Sequence, residues 1–156
     1  MTTSAHICYE SAGTHIDLAS LADLIETRTT FKVVKTEWRG FGQVVPQLMV
    51  LTSTPFLVQI EDDPSWVPEE NREFAEWAGL SADSELYLKL SRCDARLAIQ
   101  STDPDQVAIT NESITVFSFG CAVDPKDHEI SNVLNLIGKN ISGILNDCVN
   151  EELFQY

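Results

Sequence analysis

The chain has few basic residues. Its 10 lysine and arginine residues are outnumbered by 24 aspartate and glutamate residues, which leaves a formal net charge of −14 over 156 residues. This imbalance raises self-repulsion in a compact domain, and it favours solubility and attraction to basic partners. It also repels phosphate at long range. We therefore expect no direct nucleic-acid binding, although four basic residues cluster with two aromatic ones in residues 28–39.

Long apolar runs are also missing. No stretch approaches the roughly 20 apolar residues that span a bilayer. Residues 1–6 show neither the basic start nor the apolar core of a signal peptide. These absences predict a cytoplasmic protein without membrane contact. Hydrophobic residues nevertheless make up 44% of the chain, which is enough to form a core, and the length fits one domain over residues 1–156.

Cysteine is scarce and scattered. Cys8, Cys93, Cys121 and Cys148 form no Cys-x-x-Cys pair, so we predict reduced thiols. His6 and Cys8 would share one face of a strand, but no third residue is identifiable that would orient such a pair for catalysis. Buried, inert cysteine is the expected state.

No motif of a known catalytic class is present. The chain lacks the Gly-x-Ser-x-Gly turn of a serine hydrolase. Gly40-Phe41-Gly42 is too short for a phosphate-binding loop and lacks its lysine and hydroxyl. These observations predict a protein without catalytic activity and without a cofactor.

A metal-dependent enzyme of unfamiliar type is kept as an alternative. Asp124, Asp127 and His128 are competent metal ligands that lie close together in the sequence. Acids at a helix start also cap free N–H groups and complement the helix dipole. We take capping as the main expectation, and we predict no metal site.

The spacing of apolar residues predicts an α+β fold, in which an antiparallel sheet of hairpin-connected strands packs against about three helices. The helices are expected from Thr14 or Asp17 to Arg28, over 68–78, and over 128–149, the last being a long C-terminal helix. Strands are expected over 5–10, 31–38, 44–52, 56–61, 85–91, 95–100, 106–110 and 113–119. Strict alternation and a short link predict that 85–91 and 95–100 form a hairpin, and 106–110 pairs with 113–119 in the same way.

The C-terminal helix carries one apolar seam from Ile130 to Cys148. Gly138 and Gly143 weaken a helix by about 1 kcal/mol each relative to alanine. We therefore expect each glycine to lie where the helix closely approaches another element. That element is predicted to be the protein's own sheet, and a homodimer through this helix is the alternative.

Negative charge is concentrated in residues 61–85, where nine acids accompany Arg72 alone. On the predicted helix, like charges fall at i, i+4 and i+7, and an aromatic residue precedes them. Charge of this kind steers the encounter with a basic protein, and an aromatic supplies buried contact area. The predicted partner-binding residues are Asp62, Asp63, Trp66, Glu69, Glu73 and Glu76. The alternative is a solvated helix face with Trp66 and Trp77 in the core.

The leading functional hypothesis is a non-catalytic acidic protein that neutralises a basic protein by covering it. An immunity protein that guards against a toxin, or an inhibitor that mimics nucleic-acid charge, belongs to this class. The predicted order of elements also resembles class I type III secretion chaperones, which are small, acidic, dimeric α+β proteins. That resemblance implies a dimeric chaperone whose partner lays an extended segment over apolar grooves. The chain departs from the family pattern by an added N-terminal strand and extra strands near the C-terminus.

Overall fold

Nine strands and four helices follow one another in the described part of the chain. The computed structural model describes residues 3–102, 106–109, 114–117 and 122–156, with side chains outside 103–121. The elements are β1 (Thr3–Tyr9), α1 (Leu18–Arg28), β2 (Val33–Gly40), β3 (Gln43–Val50), β4 (Phe56–Glu61), α2 (Val67–Trp77), α3 (Glu85–Arg92), β5 (Ala95–Ser101), β6 (Gln106–Ile109), β7 (Ile114–Phe117), α4 (His128–Ile141), β8 (Ile144–Asp147) and β9 (Glu152–Gln155).

Seven of these strands form one sheet in the order β2-β3-β4-β5-β1-β8-β9. Every neighbouring pair is antiparallel. Strands β6 and β7 form a separate antiparallel pair, as predicted for 106–110 and 113–119. The remaining residues of those two predicted strands lie outside the described ranges. The predicted α+β class with an antiparallel sheet is therefore confirmed, with four helices instead of about three.

Helices α1 and α4 cover one face of the sheet. Asp17 caps α1 by accepting a hydrogen bond from Ser20 N at 2.7 Å, and Leu21 and Ile25 of this helix are buried in the main core. Alternate residues of the central strands point to the same core, as the two-residue period of a strand requires. The strand side chains in this core include Ala5, Ile7, Tyr9, Leu48, Val50, Phe56, Val58, Ala95, Leu97 and Ile99.

Helices α2 and α3 lie on the opposite face. They enclose a smaller apolar cluster that joins Ala75 and Leu90 to Cys8 on β1 and Ile144 on β8. A third apolar cluster of Val34, Met49 and Leu57 lies further along this face. Beside the two clusters the face is more polar, because His6, Gln100 and Asn146 alternate with the core residues of their strands. This face therefore carries polar groups beside a helix, and the candidate site lies here.

The predicted strand over 85–91 is wrong, because these residues form helix α3. Ser84 caps the helix by accepting a hydrogen bond from Tyr87 N at 3.1 Å. The leucines that alternate as in a strand also fit a helix, because Leu86 and Leu90 are four residues apart and lie on one helical face. Strand β5 consequently forms no hairpin with this segment and pairs with β1 and β4.

The predicted long C-terminal helix is too long, because α4 ends at Ile141. Ser142 adopts a left-handed conformation with φ of 50°, which stops the helix. Gly143 then passes close to β1: an added Cβ there would lie 2.6 Å from Ile7 Cγ2. The chain continues as β8 and β9, and β8 pairs with β1.

The apolar seam of α4 is buried within the chain. Ile130, Leu134, Ile137 and Ile141 all belong to the main core, so the helix lies over its own sheet as predicted. A Cβ on Gly138 would overlap the ring of Tyr156, which gives this glycine the packing role expected from the sequence. None of the helices in the described ranges is long and apolar enough to cross a membrane.

Candidate partner-binding site

Helix α2 is fixed to the sheet by a buried stripe four residues apart. Val67, Asn71 and Ala75 are the buried residues of this helix. The Asn71 Nδ2 donates to the Cys93 carbonyl oxygen at 2.8 Å, which satisfies a buried amide and sets the rotation of the helix. Pro68 lies in the first turn, where its missing N–H is not needed.

The far side of α2 bears three of the predicted acids, Glu69, Glu73 and Glu76, which we call the acidic face. All three are exposed. Glu69 lies 4.0 Å from Arg72, and Glu76 accepts a hydrogen bond from the Tyr87 hydroxyl at 3.1 Å. Glu73 makes no ion pair with any residue that the structure describes. The structure brings these acids together on one exposed side, while their role in binding stays a prediction.

Asp62 and Asp63 precede α2 and are exposed. Asp62 borders a separate concavity beneath the loop between β1 and α1. Asp63 accepts hydrogen bonds from Ser65 N at 2.9 Å and from Ser65 Oγ at 2.6 Å. These bonds stabilise the carboxylate and lower its pKa. Asp63 is thus negatively charged at pH 7. Both acids lie at the start of α2 and not on the acidic face.

Trp66 is half-buried and packs against Arg96 within the protein. The guanidinium carbon of Arg96 lies 5.2 Å from the centre of the Trp66 ring, within the range of a cation–π interaction. Arg96 Nε also donates to Glu61 at 2.8 Å, and its terminal nitrogen donates to Glu70 at 2.6 Å. This network connects β4, β5 and α2 and holds the helix at a fixed position on the sheet.

His6 lies beside this network in a neutral form. Burial and the positive charge of Arg96 lower the pKa of His6 to about 4. Glu61 is 3.8 Å from His6 Nε2 and would favour the charged ring, but its carboxylate is already bonded to Arg96. The His6 Nδ1 is buried and has no hydrogen-bond partner among the described residues.

A groove runs between α2 and the strands β8 and β9. It consists of two adjoining concavities of about 550 and 390 Å³. Phe74 and Trp77 of α2 form one wall, and Asn146, Cys148 and Leu153 form the other; these five residues define the α2 groove. Trp77 is 84% exposed, so the interpretation that places it in the core is wrong.

Carboxylates border the α2 groove at both ends. Glu70 and Glu73 lie beside the concavity near His6, and Glu151 and Glu152 lie beside the one near β9. Glu152 is paired with Lys126 at 2.9 Å. The groove therefore combines an apolar wall containing a large exposed aromatic ring with a negatively charged rim.

The described cysteines are free thiols. Cys8 and Cys93 are buried, and Cys148 is exposed, whereas Cys121 lies outside the described ranges. Burial raises the pKa of each of these thiols, that of Cys93 to about 12. All three are protonated at pH 7, and a protonated thiol is a poor nucleophile.

The acids near the start of α4 have structural roles. Asp124 accepts hydrogen bonds from Lys126 N and Asn150 Nδ2, both at 3.0 Å. Asp127 caps α4 by accepting a hydrogen bond from Ile130 N at 3.2 Å, as predicted from the sequence. Across the described ranges, no three His, Cys, Asp or Glu side chains are grouped so that they could hold a metal ion.

Several residues of this site were not predicted from the sequence. These residues come together because β8 returns to pair with β1, and β9 then pairs with β8. They are Trp77, Asn146, Cys148 and Leu153. The sequence does contain a signal for Trp77. It lies four residues after Glu73 and seven after Glu70, so on a helix it shares a side with these acids and is expected to be exposed.

No family model, curated protein or solved structure matches this chain. The α2 groove and the acidic face are therefore the basis on which we assign a function.

Proposed function

We propose that this protein is a non-catalytic binding protein that covers a basic surface of a partner protein. The observation that carries the proposal is Trp77, an exposed tryptophan in a groove bordered by carboxylates. A large aromatic ring buries much area at little cost in side-chain entropy, and tryptophan is enriched among the residues that dominate binding energy. The exposed ring thus has the properties of an anchor.

Electrostatics supports a basic partner. The chain carries a net charge of −14, and the acidic face adds a local concentration of exposed carboxylates next to the anchor. Complementary charge accelerates the encounter of two proteins, and it does so less at high salt. Glu73 is the member of the acidic face that lines the groove together with Trp77, and its charge is available to a lysine or arginine of the partner. Asp62 and Asp63 extend the negative surface beyond the start of α2.

The mechanism of such a protein is steric occlusion. A partner bound across α2 would have its basic surface covered, so any function of that surface in binding nucleic acid or another protein would be blocked. Inhibitors of the immunity-protein kind and mimics of nucleic-acid charge share this mechanism. Neither requires a bound cofactor or a chemical step.

The proposal is tested by capture of the partner with matched charge variants. Immobilised protein is exposed to native lysate at low salt, bound proteins are eluted with a salt gradient, and the eluate is identified by mass spectrometry. The test variant reverses the acidic face (Glu69→Lys, Glu73→Lys, Glu76→Lys). The control variant reverses three exposed acids on α1 and β2 (Asp23→Lys, Glu26→Lys, Glu37→Lys), so both variants change net charge equally.

The expected result is one stoichiometric basic protein that elutes with salt. It should be retained by the wild type and the control variant, and lost from the variant with the reversed acidic face. Equal retention by both variants, whether both keep the partner or both lose it, would show that the position of the reversed acids does not matter. In that case the acidic face is a solvated helix surface, and the proposal is wrong.

A further inference from the structure

The outer edge of β9 carries backbone groups that no described strand uses. Tyr156 N–H donates to the Gly143 carbonyl oxygen at 3.1 Å, so this residue directs its backbone groups toward β8. In an antiparallel strand, successive residues direct these groups to alternate sides. The N–H and C=O groups of Phe154 therefore also point toward β8. Those of Leu153 and Gln155 point away from the sheet.

This free edge adjoins the α2 groove. Leu153 lines the groove opposite Phe74 and Trp77, and it packs against the apolar cluster of that face. Gln155 lies on the same face, two residues further along the strand. On the other face, Phe154 is 54% exposed. A strand added beside β9 would thus find apolar contact area on both faces.

We propose that an extended, basic segment of the partner pairs with β9 as an additional strand of the sheet. This inference rests on the proposed function and specifies the conformation of the bound segment. Main-chain hydrogen bonds to Leu153 and Gln155 supply part of the affinity, and alternate side chains of the segment enter the α2 groove beside Trp77. Addition of a strand to an exposed edge is a general mode of peptide recognition.

Charge determines the composition of the segment. Glu151 and Glu152 lie at the start of β9, and Glu73 lies across the groove. Because Glu152 is already paired with Lys126, lysine or arginine of the segment would pair with Glu151 and Glu73. An acidic segment would be repelled. A second copy of this chain is disfavoured for the same reason, since each copy carries a net charge of −14.

The test uses a defined peptide in place of the partner. The probe is an alternating lysine–valine octapeptide with blocked termini. Its control is the same sequence methylated on every backbone nitrogen, which keeps the charge and side chains and removes every backbone donor. Affinity is measured by NMR titration of the labelled protein at low salt, and amide hydrogen exchange is followed at Leu153 and Gln155.

Two matched variants test the edge itself. Gln155→Pro removes an N–H that points away from β8, so the ladder between β8 and β9 keeps its hydrogen bonds. Gln155→Ala keeps that N–H and serves as the control. Circular dichroism establishes that both variants fold, and the methylated peptide tests the wild type without any change in the protein.

The expected result is binding of the unmethylated probe with slowed exchange at Leu153 and Gln155. Loss of one backbone hydrogen bond lowers affinity about fivefold, so Gln155→Pro should bind about fivefold more weakly and Gln155→Ala as the wild type does. The methylated peptide should lose about tenfold or more.

Equal binding of the methylated and unmethylated peptides would overturn the strand pairing, because charge alone would then explain the affinity. Failure of both peptides to bind would overturn it as well. Dimerisation of the protein through β9, detected by sedimentation and abolished by Gln155→Pro, would also overturn it. The proposed function does not depend on these results, since it fails only if the two charge-reversed variants retain the partner equally.

Discussion

Protonation of His6 should destabilise the protein as the pH falls below neutrality. Its side chain is only 14% exposed, and its pKa is lowered from 6.5 to about 4 by burial and by the charge of Arg96. The unfolded chain therefore binds a proton between these two pH values that the folded protein does not. The contribution of neutral His6 to the free energy of unfolding is complete above pH 6.5. It declines as the pH falls toward 4 and changes no further below that.

The size of the effect follows from the two pKa values. A difference of about 2.5 units corresponds to about 3 kcal/mol for the full transition. Between pH 7.5 and pH 5, where the unfolded His6 is almost fully protonated and the folded one is about one-tenth protonated, the loss is about 2 kcal/mol. This is a large fraction of the stability of a typical domain.

The assay is urea denaturation of the wild type and His6→Gln at pH 7.5 and pH 5. Carboxylates such as Asp17 and Asp63, whose pKa values are lowered by hydrogen bonds, titrate in both proteins and cancel in the comparison. The wild type should lose about 2 kcal/mol more than the variant over this range. An equal loss in both proteins would refute the buried, neutral His6.

Two further predictions concern packing and buried charge. Gly138→Ala should destabilise the protein by about 1–2 kcal/mol in urea denaturation, because its Cβ would overlap the Tyr156 ring. In a Tyr156→Ala background the same substitution should be neutral or stabilising. A neutral effect in the wild type would contradict this packing. Arg96→Met should cost about 3 kcal/mol because it leaves Glu61 poorly solvated without its partner. The exposed pair that Arg92 forms with Glu10 is the control, and Arg92→Met should cost below about 1 kcal/mol; equal costs would contradict the buried network.

Local patterns in the sequence were sufficient for much of the fold. Strand β4 has its predicted bounds, and β1, β2, β3 and β5 lie within a few residues of theirs. Helix α1 begins after the predicted cap Asp17 and ends at Arg28. These elements were predictable because each contains a run or period of apolar residues with a cap or turn beside it.

The errors lie where one pattern fits two structures. Leucines at positions 86, 88 and 90 alternate as in a strand, but Ser84 provides a helix cap and the tertiary context selects the helix. The apolar period of α4 continues past Ile141, yet the left-handed Ser142 ends the helix. The close approach expected at Gly143 is present, but it occurs just after the helix, where Gly143 passes β1.

The candidate site was predictable only in part. The acids of α2 lie together on an exposed side, because a helix of known phase places residues four and three apart on one side. The alternative interpretation placed Trp77 in the core, whereas the buried stripe of α2 passes through Asn71, a polar residue. The opposite wall of the groove comes from β8 and β9, which are distant in sequence from α2. No pattern within the helix indicates it.

The measurement that tests the central claim most directly is the association rate constant with the captured partner as a function of ionic strength. We expect the wild-type rate to fall steeply with salt, and the variant with the reversed acidic face to associate more than about tenfold more slowly at low salt. The control variant reversed at Asp23, Glu26 and Glu37 should remain close to the wild type. A rate that is independent of salt and equal in all three proteins would contradict the account.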